Sequence, residues 1–588
     1  MMPVLQLGAC LAVFLGLVFG LGLPLVAGLP LRADERVALA PGVALIVLYL
    51  AAFAVYAFRL PAACFLLLPA AAGAGLVWRW RPLLAALRDP PARSLLGAYA
   101  IWTGWALGFL ALVRCYFGVG AGATGDWLEH YQRTGFFLGH WPLDYRFIWL
   151  YPLPARPPLA NLVTGALLAL TSETFPYFQV FSTLESTLVL LPAWLLCRRF
   201  NAGRAPTGVL LLLCMLNPLL LHNATYPWTK LITAYFVLAG LHLFLEGRER
   251  GSTARASAAF LFLSAGLLAH YSAGPYLLVL ALLSLWAHRR RWFSGACAAG
   301  LAAVAAPSVL LLATWFGWSW RHYGFAATTA SNTAVTTMDV SSAGGFAAAK
   351  LGDLVTTLLP LPWRDPSRPA APPSWDWPAV LDQHFYLFYQ LTVPAAFGWA
   401  GAVVLLFLLG RGGLAILRGR GPPEGRFWTI FVSETLVLGI WVNGRYDIYG
   451  LANICLQPLV VLGLAYLGAR LPGLSRVLRI ACLAGAAVDG ALGIALHFWV
   501  EHLAPAILAS AVPAAGAAGL APWWTDNLVS NLLAKYYFGF QFAGDPGPPL
   551  WLVTAWLAAC LLVAVWRCGR AVDVAGPPAP LSPGSAVR

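Results

Sequence analysis

The chain has 588 residues, 60% of them hydrophobic and only 10% charged, with a formal net charge of +14. Apolar runs of about 20 residues recur along it, each long enough to cross roughly 30 Å of hydrocarbon, and a soluble protein of this length needs more polar surface than the sequence offers. The runs are continuous rather than alternating, which excludes a β-barrel. The basic residues sit in short loops between the runs, and this membrane-topology pattern explains the positive charge without nucleic acid. The expected fold class is an all-α polytopic membrane protein. The ten cysteines are scattered, several inside apolar runs (Cys10, Cys64, Cys297, Cys482), and no CxxC spacing occurs. Neither a disulfide framework nor a cysteine metal site is expected.

In chain order, residues 3–29 read as an anchor helix rather than a cleaved signal, because a basic n-region is missing and the apolar stretch is long. Spans follow near 38–58, 60–78 and 94–117, with the basic segment from Trp78 to Arg93 on the cytoplasmic side. Further spans lie near 175–197, 206–221, 229–246, 256–270, 273–287 and 294–318, then near 387–410, 427–442, 450–468, 478–499 and 549–566. This gives about 14 or 15 transmembrane helices, and every basic cluster from Arg79 onward falls on one side. The expected organisation has four parts. Residues 1–93 are additional N-terminal helices, and 94–470 form a catalytic module with first outer loop 118–159. Residues 471–570 are C-terminal helices with outer loop 500–548, and 571–588 form a Pro-, Gly- and Ala-rich tail, disordered in the cytoplasm. Loops 319–385 and 500–548 carry Trp-rich stretches suited to the membrane–water interface, as a lid over a site or as plain interfacial packing.

The chemistry is concentrated in the first outer loop. A helix beginning after Gly125 puts Asp126, Glu129, His130 and Arg133 at i, i+3, i+4 and i+7, on one face. A carboxylate there suits a general base, while the bland alternative is a solvated loop with local ion pairs. Next comes Tyr151-Pro152-Leu153-Pro154-Ala155-Arg156-Pro157-Pro158-Leu159, followed by an apolar stretch too short to span. The prolines favour extended backbone and then a helix start, which sets Arg156 beside a surface helix at the interface. Arginine suits bidentate phosphate contact. Lys230, at a helix start on the same side, fits either a lipid phosphate or ordinary snorkelling. His270 and Tyr271 mark another outer turn, structural or substrate-binding, and Arg445 and Tyr446 follow a span on that side.

An acidic residue soon after a span, then Arg-Pro-Pro-Leu opening a juxtamembrane helix, resembles the GT-C superfamily of membrane glycosyltransferases. It is most similar to the bacterial family that includes protein O-mannosyltransferases and the aminoarabinose transferase of lipid A. The resemblance covers roughly residues 94–470. It implies a GT-C-like helix bundle with outer-side juxtamembrane helices, a sugar donor on polyprenyl phosphate and an essential first-loop acid, which is Asp126. It also implies a late outer-end cation on the donor phosphate, for which Arg445 with Tyr446 is the match. Two departures stand out: Trp127 follows Asp126 where protein O-mannosyltransferases have adjacent Asp-Glu, and three spans precede residue 94.

The function expected is transfer of a sugar from a polyprenyl-phosphate donor to a hydroxyl of a lipid, glycan or protein acceptor, outside the inner membrane, with inversion. Asp126 and Glu129 are the catalytic candidates. Arg156, Lys230 and Arg445 would hold the phosphate, and His130, Arg133, His270, Tyr271 and Tyr446 would contact substrate. A divalent metal is compatible with Asp126, Glu129 and His130, though no spacing requires one. The alternatives are a transporter or lipid flippase built on the intramembrane carboxylates Glu185, Glu434 and Asp489, and a polysaccharide polymerase or ligase using the late loops.

Overall fold

The computed structural model describes residues 2–113, 126–148, 150–201, 206–289, 295–331, 342–358, 389, 392–417, 424–441, 456–495, 497 and 549–573. Arg445, Tyr446, the loop 500–548, most of 319–385 and the tail from 574 lie outside these residues. The described chain is helical. Its helices begin with α1 (Met2–Val26), α2 (Ala33–Ala57), α3 (Leu67–Trp78), α4 (Trp80–Arg88) and α5 (Pro90–Leu110). They continue with α6 (Asp126–Gly139), α7 (Leu159–Ala169), α8 (Phe175–Thr187), α9 (Leu190–Phe200), α10 (Thr207–Leu216) and α11 (Pro218–Thr225). Then come α12 (Lys230–Arg250), α13 (Thr253–Ala269), α14 (Gly274–His288) and α15 (Gly295–Ala330), and later helices include Gln457–Arg470 and Arg476–Ile494. Among the described residues the only β pairing is an isolated bridge between Phe147 and Tyr151.

Among the described residues seven helices are long and apolar enough to cross a membrane, and nine if two bent pairs each count as one span. The sequence count of about 14 or 15 is larger because several spans are shorter apolar helices, such as Thr253–Ala269 and Phe427–Ile440. One bent pair is α10 and α11, which break by 72° at Asn217-Pro218. Proline cannot donate to the preceding turn, and the residue before it avoids the helical region. Asn217 is extended and its side chain accepts from Leu220 N, capping the second half.

The bundle has two polar ends. At one, Arg198 pairs with Asp34 and Arg199 with Glu249, while Arg199 reaches Glu246 at 2.8 Å and Arg255 reaches Glu35 at 3.1 Å. The basic clusters after α1, α9 and α12 thus meet in space, as the charge alternation requires. The other end gathers α6, the polar starts of α7 and α12, and the turn between α13 and α14. One buried apolar cluster runs from Cys10 to Cys568, so the N-terminal helices share the core of the rest. The Tyr235 hydroxyl accepts from Gly42 N at 2.7 Å and donates to Ala38 O at 2.9 Å, pinning α2 to α12. A Cβ at Gly42 would lie 2.4 Å from the Phe262 ring, so this close approach needs glycine.

Candidate active site

Helix α6 has two acids in its first turn, Asp126 and Glu129, where they complement the positive end of the helix dipole. As the spacing predicts, Asp126, Glu129, His130 and Arg133 share a face. That face is turned inward rather than left in solvent. Glu129, His130 and Arg133 are buried, and the Asp126 side chain is 27% exposed.

Two arginines meet these acids in different ways. Arg133 is saturated. Its guanidinium donates to Glu129 at 2.8 Å, to Leu153 O at 2.7 Å and to Pro152 O at 3.1 Å, and it lies 4.3 Å from the Phe147 ring centroid. The Tyr271 hydroxyl donates to Pro154 O at 2.9 Å. Three consecutive carbonyls are therefore pinned, and the residue they deliver is Arg156, extended before Pro157. Arg156 stands between the two acids, 3.6 Å from Asp126 Oδ1 and 3.5 Å from Glu129 Oε2. Charge-assisted hydrogen bonds close to about 2.7–2.9 Å, so these contacts are loose. Arg156 Nε and Glu129 Oε2, the pair at 3.5 Å, are both buried, and among the described residues neither closes a hydrogen bond.

The third side of the site comes from the start of α12. Trp228 Nε1 donates to Asp126 Oδ2 at 2.9 Å, and Lys230 Nζ lies 3.4 Å from the centroid of the Trp228 ring. Trp228 packs on Tyr226 at 4.6 Å, and the Tyr226 hydroxyl accepts from Trp127 N at 3.4 Å. The His130 ring approaches Asn161 Oδ1 at 3.3 Å. His270 Nδ1 accepts from Ser272 N at 3.1 Å and so closes the turn between α13 and α14.

Burial pushes the Asp126 carboxyl up, but Arg156, His130, Lys230 and the Trp228 hydrogen bond outweigh it and hold it below its ordinary value. Burial pushes the His130 imidazole down to about 4 against the pull of Glu129 and Asp126, so it is neutral at pH 7. Arg156 resists its own burial because Glu129 and Asp126 favour its charge, and it stays a cation. Three cations (Arg133, Arg156, Lys230) face two carboxylates, which leaves a net positive pocket.

The structure brings together Asp126, Glu129, His130, Arg133, Arg156, Lys230, His270 and Tyr271. Three readings change in detail. Helix α7 is buried rather than a surface helix, because α2 and α6 cover it. Asp126 is half-buried. Arg133 spends its donors on backbone carbonyls and Glu129. Sequence reasoning did not single out Trp228 or Asn161 as site residues. Trp228 reads as interface aromatic, and an asparagine in the first turn of an apolar helix was the available signal for Asn161.

A metal fits poorly between Asp126 and Glu129, since Arg156 already occupies the cation position. A second group, Glu35, His242 and Glu246, has ligand atoms within 4.8 Å of one another at the opposite end. There too, guanidinium groups fill the role: Arg255 is 3.1 Å from Glu35, and Arg199 and Arg250 are 2.8 and 2.9 Å from Glu246, while His242 Nε2 already lies 3.1 Å from Glu35.

The intramembrane carboxylates are differently engaged. Both oxygens of Asp489 are taken, by the Tyr389 hydroxyl at 2.6 Å and by the backbone N–H of Trp399 and Ala400 at 3.0 and 2.9 Å. Glu185 accepts from Thr164 at 2.8 Å. Glu434 Oε2 is buried and has no hydrogen-bond partner among the described residues.

Fold and site together define an all-helical, multi-pass membrane protein with an acid–guanidinium cluster at one end of its bundle. No known protein family and no curated protein matches the chain. Among solved structures it is similar to ArnT from Cupriavidus metallidurans bound to undecaprenyl phosphate, with 15% identity, a TM-score of 0.44, and coverage of 82% of this chain and 75% of that one. The same protein in the apo state gives 14% identity, the same coverage and a TM-score of 0.42.

Proposed function

We propose that this protein transfers a sugar from a polyprenyl-phosphate-linked donor to an acceptor hydroxyl on the outer side of the membrane. The observation that carries the reading is Arg156: a largely enclosed guanidinium held only loosely by Glu129 and by the ionised, partly exposed Asp126 carboxylate. Such a pair offers an anion site and a base within one pocket. Arg156 and Lys230, with Arg445, bind the donor phosphate. Asp126 is the general base. Glu129, fully buried between Arg133 and Arg156, is a positioning residue, as is Arg133. His130, His270, Tyr271 and Tyr446 shape the sugar and acceptor side. Residues 94–470 form the transferase module, with 1–93 and 471–570 as helices built around it and 571–588 as a cytoplasmic tail.

In the step, the acceptor O–H gives its proton to Asp126 as its oxygen attacks the anomeric carbon. The bond from that carbon to the phosphate oxygen breaks, and its electron pair leaves with the polyprenyl phosphate. One displacement inverts the centre. The departing phosphate is a stable anion, so cationic contacts serve where an acid would otherwise be needed. A base with a depressed pKa takes the proton late, as the hydroxyl becomes acidic in the transition state.

The test is sugar transfer from a panel of radiolabelled polyprenyl-phosphate sugars to membranes carrying wild type or Asp126→Asn. Transfer by wild type and a loss of about 10²-fold or more in the variant is expected for removal of a general base. Full activity in Asp126→Asn removes Asp126 from the chemistry. No transfer from any donor, with substrate movement that depends on Glu434, would favour the transport alternative, for which the buried Glu434 oxygen speaks.

A further inference from the structure

A second cavity, of about 270 Å³, opens where the end of α2 meets α6 and α7. Its walls are apolar: Ala52, Val55 and Phe65 on one side, Phe137, Leu162 and Ala166 on the other. Its two basic lining residues are Arg59 and His140, both exposed. These are two of only three non-glycine residues with positive φ among the described residues, at 53° and 48°. Both close the C-terminus of a helix, where glycine is the usual residue because it adopts this conformation without strain. Non-glycine residues held there are strained, and such residues collect at functional sites. The His140 ring stacks on Tyr56, centroids 5.4 Å apart and 8° from parallel, which fixes it at the rim. Among the described residues neither the Arg59 guanidinium nor the His140 ring has a hydrogen bond or ion pair. Beside the mouth, Phe58, Leu66 and Leu67 are 76%, 63% and 69% exposed, a surface suited to lipid.

We infer that this cavity binds an anionic membrane lipid, with part of an acyl chain in the apolar slot and the phosphate against Arg59 and His140. An apolar slot opening on a lipid-facing surface selects a ligand that arrives from the bilayer. The guanidinium and imidazole at its rim select an anionic headgroup over a zwitterionic one. The site is separate from the Asp126 cluster: Leu138, on its wall, lies twelve residues along α6 from Asp126, about 18 Å at 1.5 Å per residue. The inference does not depend on sugar transfer.

The experiment is photolabelling of the purified full-length protein with a short-chain phosphatidic acid carrying a diazirine in its acyl chain, and with the matching phosphatidylcholine. Labelled peptides are mapped. Label from phosphatidic acid should fall within residues 52–66 and 137–166, and phosphatidylcholine should label these peptides about tenfold less, a difference of roughly 1.4 kcal/mol. Arg59→Gly should reduce the label about tenfold while leaving the melting temperature equal or higher, since glycine accepts this φ freely. Gly165→Leu should also reduce it. A Cβ there meets Leu138 at an ordinary 3.6 Å, and the rest of the side chain grows into the slot. Asp126→Asn should label as wild type. Equal labelling by the two lipids, label on other peptides, or undiminished label in Arg59→Gly would each overturn the inference.

Discussion

Arg133 and Arg156 sit in one cluster but differ in how their donors are spent, and that difference predicts different effects on stability. Arg133 makes bonds of 2.7–3.1 Å to two carbonyls and Glu129, a fork that lysine cannot reproduce. Arg133→Lys should lower the melting temperature and raise the apparent donor KM, because the segment carrying Arg156 loses its anchor. Arg156→Lys should leave the melting temperature nearly unchanged and raise donor KM by about tenfold or more, since a point charge replaces a bidentate contact. Donor titration alongside thermal unfolding separates the two, and equal effects on both measurements would remove the distinction. The same residues set the pH response. Asp126 is held below its ordinary value by Arg156, His130 and Lys230, so the acid limb of the transfer rate should lie at lower pH than an ordinary aspartate would give. For His130 the folded value is about 4 against roughly 6.5 unfolded. The unfolded chain therefore binds the proton first as pH falls, and stability is lost between pH 6.5 and 4, by up to about 3 kcal/mol. Melting curves at pH 7 and pH 5 should show this loss in wild type and a smaller one in His130→Asn.

At the scale of elements, the site is a junction of four pieces that are distant in sequence. Helix α6 supplies the acids, the 151–156 segment supplies Arg156, the start of α12 supplies Trp228 and Lys230, and the turn between α13 and α14 supplies Tyr271. Helix α6 and its one-faced cluster were legible from the i, i+3, i+4, i+7 spacing, and the start of α7 from the prolines before it. The pinning of three successive carbonyls by Arg133 and Tyr271 was not legible, because backbone acceptors leave no mark in sequence. Nor was the link from Trp228 to Asp126, since a tryptophan near a helix end is equally at home in a membrane interface. Trp228→Phe keeps the ring under Lys230 but removes the N–H to Asp126. It should reduce transfer without changing expression, as measured in the same membrane assay.

For the whole molecule, the charged network at the far end ties α2 to α9, α12 and α13. Glu35 is fully buried and meets both Arg255 and His242. Removing one partner of a buried charged pair costs about 3–5 kcal/mol, because the other is left uncompensated. Glu35→Gln should therefore destabilise the protein by about that amount, read as a lower melting temperature, with donor KM unchanged in the folded fraction. A shift in donor KM would instead mean that the two ends of the bundle are coupled. Since α2 also covers α7, which opens beside Arg156, the N-terminal helices are integral to the site's setting even though they precede the segment that carries it.

By itself the sequence determined that this is an all-helical membrane protein and that Asp126, Glu129, His130 and Arg133 share one helix face. These follow from composition, apolar run length and helical periodicity, which are local properties of a chain in contact with lipid. Only the tertiary structure decided which acid keeps solvent access, which arginine is spent on backbone and which stands loosely between two acids, and that α7 is enclosed. Those outcomes depend on neighbours brought together from separate segments, up to about a hundred residues apart for Trp228 and Asp126, and on the loss of water around them. The spacing of charges along a chain does not encode either.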